Sequence, residues 1–455
     1  MTPKFRRMFS PIGICGGAFS KKTTSIRAAL LLLLAAGQSA MGQPSIGGEY
    51  ELYSGFGVSE GLDPYSLRTR LRLRGRFQQP GLMVYSAARV SSDLQDPEQG
   101  GEPGPIRFRL LETFLDLYFD DLDIRIGHQL VVWGQMDGTF ITDVVSPLDL
   151  SEFLAQDFAD IRLAVPAARA SYFAGPWSVT GLLVLAPMES PVPASTSPWF
   201  AVPDAPSSVE VTLEEDNLPA PSVGEVEPGM KLTYSGAQTS LDLIYFYGHN
   251  RIPAFAKSVS LESATDIRLT LRPEYYRRHV FGTRLSTSAV DPLVFEAEAA
   301  YESLHKVDVD ADLLFEDPAS VLDLQGLLVR EGQLQAGVSI SRVFGQTILK
   351  TQFLGSPLTR HDRRAASDRF QEAVTLLVQT NWMRETYSAR LFAYLIPGGD
   401  YWINPTVAYN AGPGINLTLG AHVFGDEASD NTFTTSAFGL FDDNDFVYFK
   451  LTLAF

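Results

Sequence analysis

Cysteine is almost absent from this chain of 455 residues; Cys15 stands alone and no disulfide can form within one chain. After residue 42 no run approaches roughly 18 consecutive apolar residues, which excludes a further membrane-crossing helix. Basic residues are outnumbered, 36 Lys and Arg against 53 Asp and Glu. A surface of that sign repels nucleic acid, and that partner is set aside. The six histidines, His128, His249, His279, His305, His361 and His422, are scattered, and none has metal-ligand spacing. Asp308-x-Asp310-x-Asp312 starts like a calcium loop but has Leu313 at the sixth position and Ala319 at the twelfth. Neither a Gly-x-Ser-x-Gly elbow nor a phosphate-binding loop is present. No metal, cofactor or catalytic residue is therefore expected.

What is present begins with an export signal. Lys4, Arg6, Arg7, Lys21, Lys22 and Arg27 precede an apolar run from Ala28 to Ala36, followed by small residues at Ala40 and Gly42. The order of charged, apolar and small residues is that of a secretory signal peptide, with cleavage expected near Gly42. Cys15 would leave with it, so the mature chain needs no oxidative folding. Removing residues 1–42 takes six of the 36 basic residues and no acidic one, leaving 30 against 53, a net charge of −23.

From there to the C-terminus the dominant pattern has a period of two. In Tyr65–Phe77, Leu67, Leu71, Leu73 and Phe77 fall on one face, while Arg68, Arg70, Arg72, Arg74 and Arg76 fall on the other. In the last ten residues Val447, Phe449, Leu451, Leu453 and Phe455 share one face and Lys450 and Thr452 the other. Alternating segments of about ten residues suit tilted strands that cross a membrane. Hydrocarbon offers no partner to a backbone N–H or C=O, so such a sheet must close on itself.

The connections alternate as well. Short ones at 79–81, 120–121, 174–176, 235–237, 289–291, 344–345, 382–384 and 411–413 are separated by long ones near 93–105, 134–160, 187–226, 249–265, 305–330, 356–368 and 425–441. Short connections near 59–64 and 397–400 break the contrast. Tight periplasmic turns opposite long external loops are expected of an outer-membrane barrel. The expectation is an all-β, transmembrane antiparallel β-barrel of about 18 strands over residues 43–455, with 16 as the alternative and both termini on the short-turn side. One of those strands is read as 266–288 and another as 122–133. Tyr50, Trp133, Trp177, Tyr245, Trp382 and Trp402 are assigned to membrane–water girdles.

Five arginines on one strand face would each cost up to about 2–4 kcal/mol against lipid near the midplane, so they are expected inside. They read as a salt-bridged wall, with Glu49 and Glu51 across from them on the preceding strand, or as a ladder for anionic solutes. Glu112, Asp116 and Arg125 are expected to line the same pore. In the 134–160 connection, Ser146 would cap a short helix with Pro147 at its first position, Asp149 in its first turn, and Leu148, Leu150, Phe153 and Leu154 on its apolar side. With Trp133, this connection reads as a constriction loop or as a structured external loop. The connection 187–225 carries eight prolines and seven acidic residues and no Lys or Arg. It is expected to be external and mobile, either plainly solvated or binding divalent cations.

The terminal Phe455, with Leu453, Leu451, Phe449 and Val447, resembles the C-terminal targeting signal of outer-membrane barrels, which implies the outer-membrane assembly machinery as a partner. Arg125-x-Gly127-x-Gln129, Trp133-Gly134 and Ser146-Pro147-Leu148-Asp149 resemble a family of poorly characterised proteobacterial outer-membrane proteins. Ser146 replaces that family's usual asparagine. Leu163–Pro166, Phe295–Glu298 and Pro405–Tyr409 fit the same family. The resemblance implies a barrel in the outer membrane of a Gram-negative bacterium and transport of some kind. The expected function is a porin-like channel for small solutes, favouring anions through the arginine row, embedded in the lipid bilayer and compatible with a homo-oligomer. The alternatives are an accessory barrel of an export system with a plugged lumen, and a barrel-borne hydrolase, for which Ser146 and Asp149 lack a histidine nearby in sequence.

Overall fold

A computed structural model describes residues 42–58, 61–153, 158, 160–194, 197–200, 209–214, 218–261, 267–309, 326–359, 364, 370–426 and 438–455. The expected signal peptide lies outside the described residues. The strands are β1 (Gln43–Gly57), β2 (Asp63–Gln79), β3 (Leu82–Asp93), β4 (Arg107–Tyr118), β5 (Leu122–Gln129), β6 (Val165–Ala174), β7 (Trp177–Val184), β8 (Val209–Leu213), β9 (Glu227–Ser235), β10 (Thr239–His249), β11 (Ala254–Leu261), β12 (Ile267–Glu274), β13 (Arg277–Val290), β14 (Leu293–Asp308), β15 (Leu328–Phe344), β16 (Thr347–Pro357), β17 (Phe370–Trp382), β18 (Tyr387–Leu395), β19 (Tyr401–Gly412), β20 (Ile415–Gly425) and β21 (Phe446–Ala454).

Eighteen of these form one antiparallel sheet, and β8, β11 and β12 form a small second one. The large sheet is a closed barrel, because β1 pairs with β2 on one side and with β21 on the other. Tyr50 thus stands between Leu71 and Leu453 in register. Closure leaves no sheet edge to face hydrocarbon. No helix among the described residues is long and apolar enough to cross a membrane.

The side-chain distribution is inverted relative to a water-soluble protein. Leu67, Leu73, Leu243, Phe281, Phe353 and Leu419 are exposed on the outer face, whereas Arg70, Asp242, Arg284, Glu298, Gln352 and Thr375 are buried on the inner one. A two-residue period places the two sets on opposite faces of the same strands.

Three expectations about local structure change. The stretch read as one strand, 266–288, is two: β12 belongs to the small sheet, antiparallel to β11 and parallel to β8, and β13 to the barrel. Asn250 fixes the corner between them. Its Oδ1 accepts from the Tyr276 N–H at 2.7 Å, and its own N–H donates to the Tyr276 carbonyl at 3.0 Å. The connection read as 249–265 therefore contains a strand, β11.

The described part of the 187–226 connection is not simply external. Ser190 and Trp199 are buried, and Trp199 packs among Tyr65, Phe424, Phe441 and Phe446. A segment too polar and proline-rich for a core of its own uses the barrel's instead. Trp133 and Trp402 likewise point inward, 4% and 1% exposed, and are not girdle residues.

A candidate functional site across the lumen

The residues between β5 and β6 enter the barrel. The strand expected over 122–133 stops at Gln129, and the Arg-x-Gly-x-Gln sequence shows why. Arg125 makes a two-point contact with Asp116, at 2.6 and 2.7 Å, and lies 3.7 Å from the Phe114 ring centroid. Gly127, at φ +140°, sits where an added Cβ would lie 2.3 Å from the Thr113 carbonyl oxygen, so a side chain has no room there. The buried Gln129 amide donates to the Ala167 carbonyl at 2.9 Å. Glu112 Oε1 then takes the Leu130 N–H at 2.9 Å, and the chain turns inward.

Asp143 and Ser146 shape the turn. Asp143 Oδ1 accepts from the Trp133 N–H at 2.8 Å and the Gly134 N–H at 3.3 Å, while its other oxygen takes Arg162 at 2.6 Å. Ser146 Oγ accepts from Val131 at 3.0 Å. There is no helix from 134 to 153: Ser146 caps no helix, and Pro147 and Asp149 belong to no regular element, flanking the single bridge between Leu148 and Arg162. The backbone donors that a cap would have satisfied find other partners: the Asp149 N–H donates to the Ile161 carbonyl at 2.6 Å and the Leu150 N–H to the Pro191 carbonyl at 2.8 Å. The Leu148 N–H donates to Ser190 Oγ at 2.9 Å. Phe153 joins the aromatic cluster with Trp199, Phe438 and Phe441. Leu154 lies outside the described residues.

The segment meets the arginine wall. Arg68 pairs with Glu152, and Arg109 with Asp149. Asp160 receives Arg72 at 2.5 Å and Arg89 at 3.2 Å, with Arg70 at 3.8 Å. Glu51 takes a weaker contact from Arg70 at 3.4 Å, and Glu49 stands opposite Arg72 in register. Arg74 and Arg76 continue toward the short-turn end, exposed and without an ion pair among the described residues. Burial disfavours ionisation of Asp149, but the Arg109 guanidinium and the Ser151 hydrogen bonds outweigh it and hold the carboxyl below its ordinary value.

The other end of the segment reaches the far wall. Glu298 on β14 accepts from the Gln135 N–H at 2.6 Å and the Thr142 hydroxyl at 2.8 Å. On β16, Lys350 pairs with Asp137 at 2.9 Å, and Gln352 bonds the Asp137 backbone at both its N–H and its carbonyl. Counted round the 18 barrel strands, β14 is the ninth after β2, which is half the circuit. The segment therefore runs from one wall to the other through the lumen. Arg251 adds a third anchor: buried itself, it binds the fully buried Glu227 at 2.6 Å and donates to the carbonyls of Val145 at 2.9 Å and Met188 at 3.3 Å.

Sequence reasoning named the arginine strand, Glu51, Glu112, Asp116, Arg125, Trp133, Asp149 and Phe153, and the fold brings these to the lumen or its crossing segment. It gave no site role to Asp143, Glu152, Asp160, Arg162, Arg251 or Lys350, and it met Glu298 only within the Phe295–Glu298 motif. A signal for some of them existed: the 134–160 connection is rich in acid, and the strands nearest the arginine row carry further arginines.

A closed 18-strand barrel with apolar exterior, charged lumen and an inward segment is the architecture of the outer-membrane porins. A family described as "Protein of unknown function (DUF1302)" matches residues 106–327, just under half of the chain. No curated protein matches. Among solved structures, OccAB1 of Acinetobacter baumannii is 8% identical, with 91% of this chain and 95% of that one covered at a TM-score of 0.50. OpdK of Pseudomonas aeruginosa, solved with vanillate, is also 8% identical, covering 91% and 98% at 0.49. At such identity the likeness to OccAB1 concerns the fold alone.

Proposed function

We propose that the chain is exported by a signal peptide cleaved near residue 42 and forms an outer-membrane channel for small solutes, narrowed by the segment between β5 and β6. The observation that carries this is the width of the barrel together with its charged inner face. Eighteen strands enclose a lumen too wide for wall side chains to fill, and the crossing segment is one strap through it. The arginine wall gives the lumen a local positive field despite the acidic whole, because Arg74 and Arg76 extend beyond the segment's carboxylates. The channel is accordingly read as anion-preferring and non-enzymatic, inserted by the outer-membrane assembly machinery. Purified protein in a planar bilayer should give discrete conductance steps, and a salt gradient should give a reversal potential of anionic sign. Absence of current at any voltage would remove the channel. An unchanged reversal potential in Arg74→Glu with Arg76→Glu would remove the role of the row.

A second reading, an accessory barrel closed by a plug, is favoured by the anchoring of the segment at both walls and at Arg251. Deleting residues 140–157 should then convert a silent barrel into a conducting one. A wild-type barrel that already conducts steadily contradicts the plug.

A further inference from the structure

On the long-connection side of the crossing segment the described side chains enclose a cavity of about 1000 Å³. Its lining departs from that of a wet pore. The segment turns Phe140, Ile141, Leu148, Leu150 and Phe153 toward it, and the facing wall adds Leu354. Ile252, at the corner between β10 and β11, is 49% exposed there.

Most of the charges along this cavity are engaged with one another; the exposed Glu372 is without an ion pair among the described residues. Arg278 pairs with Glu302, and Arg251 with Glu227. Lys306 stands 3.6 Å from Glu274 and 5.2 Å from the Tyr276 ring centroid. Asp143 is held by Arg162. An anionic guest would lose water without meeting a spare counter-charge, which is unfavourable in a partly enclosed space, and a cationic one would meet only the exposed Glu372, whose attraction water screens. An apolar guest meets the surface it needs, and the cavity lies at the upper end of the size range of small-molecule sites. A few neutral polar groups remain for orientation. The Gln333 and Gln335 amides line one side. The hydroxyl of the half-buried Tyr394 has no hydrogen-bond partner among the described residues.

We propose that this cavity binds an uncharged, mainly apolar solute carrying one or two hydrogen-bonding groups, and that it is the capture site from which such a solute proceeds past the segment. Capture itself stands on the cavity; only the onward passage rests on the channel reading. The apolar body lies on the Phe140–Phe153 surface and Ile252, and a hydroxyl or carbonyl of the guest meets Tyr394 or the glutamine amides.

The test uses the mature full-length chain in lipid nanodiscs, where detergent cannot compete, with tritiated 1-adamantanol as probe. Binding above empty nanodiscs should saturate at one molecule per barrel. Ile252→Asp, which places a charge on the apolar surface, and Gln335→Trp, which fills the space, should each weaken it at least about tenfold. Heat-modifiable gel mobility checks that each variant is folded. Wild-type protein gives an independent measurement: unlabelled 1-adamantanol should displace the probe, and 1-adamantanamine or 1-adamantanecarboxylate at neutral pH should do so far less well. Retention no greater than in empty nanodiscs, survival of binding in both folded variants, or equal displacement by the charged analogues would overturn the proposal. Current through the same preparation is recorded in parallel. Saturable binding without current removes the channel and leaves the capture site; current without saturable binding does the reverse.

Discussion

Asp160 is the point at which the crossing segment is most exposed to a single change. Its two oxygens serve Arg72 at 2.5 Å and Arg89 at 3.2 Å, and Arg70 stands at 3.8 Å. Asp160→Asn keeps the shape and removes the charge. Each hydrogen bond between charged partners contributes about 1.5–3 kcal/mol. The side chain is 15% exposed to the lumen, and water there screens part of this. A net loss of about 2–3 kcal/mol corresponds to a shift of roughly 30- to 150-fold toward a released segment. Three guanidinium groups are also left facing the lumen without that carboxylate. Single-channel recording should show larger or noisier steps, because that end of the strap is loosened. The reversal potential in a salt gradient should move further toward anions. Steps of wild-type size and noise with an unmoved reversal potential would show that Asp160 neither holds the segment nor balances the wall.

Other consequences follow from the same contacts. Arg251→Ala leaves the fully buried Glu227 without its guanidinium, a loss of about 3–5 kcal/mol for a buried pair; the folded, heat-modifiable form should melt at lower temperature, and an unchanged melting temperature would count against the anchor. Asp149 titrates below its ordinary value, so its contact with Arg109 is complete above about pH 4, the unfolded carboxylate range, and is lost as pH falls through the lower native value. Conductance should hold steady from neutrality to that range and change only beneath it, whereas a transition near pH 6 would point to another group. Phe281→Arg on the outer face should destabilise the inserted barrel by up to about 2–4 kcal/mol, while Thr283→Arg on the same face should cost a comparable amount and Gly282→Arg should instead crowd Ile244 and Thr142 inside; reversible unfolding from liposomes reads all three.

Strand number and closure were legible because a barrel writes its wall as a two-residue period, and Leu67 to Phe77 against Arg68 to Arg76 can be read with no partner in view. The crossing segment was harder. Ser146-Pro147-Leu148-Asp149 has the local signature of a helix start, but local signatures compete with what the surroundings supply. Here Ser190 takes the Leu148 N–H and Arg109 takes the Asp149 carboxylate. Neither partner is near in sequence. The same reason hid Trp199: a proline-rich acidic stretch reads as solvated until a neighbouring barrel offers Tyr65 and Phe446 as its core. The break between β12 and β13 depends on Asn250, some 26 residues away from Tyr276.

Net charge is the property that misleads most if read for the whole chain. Residues 130–164 contain Asp137, Asp143, Asp149, Glu152, Asp157 and Asp160 against Arg162 alone. Such a segment repels itself in isolation and is a poor candidate for an independent fold. Placed beside Arg68, Arg72, Arg89 and Arg109 it becomes the missing half of an ion-pair wall, and the wall in turn becomes tolerable as a row of closely spaced cations. Each half is unfavourable without the other, so docking of the strap and closure of β2 to β4 around it should be coupled. On the channel reading, what remains to act on a passing solute is the surplus: Arg74 and Arg76 on one side of the strap, and on the other a cavity whose charges are mostly spent on each other. The field a solute meets is therefore set by which charges face inward and lack a partner, and the acidic total, much of it carried on the long connections, says little about it.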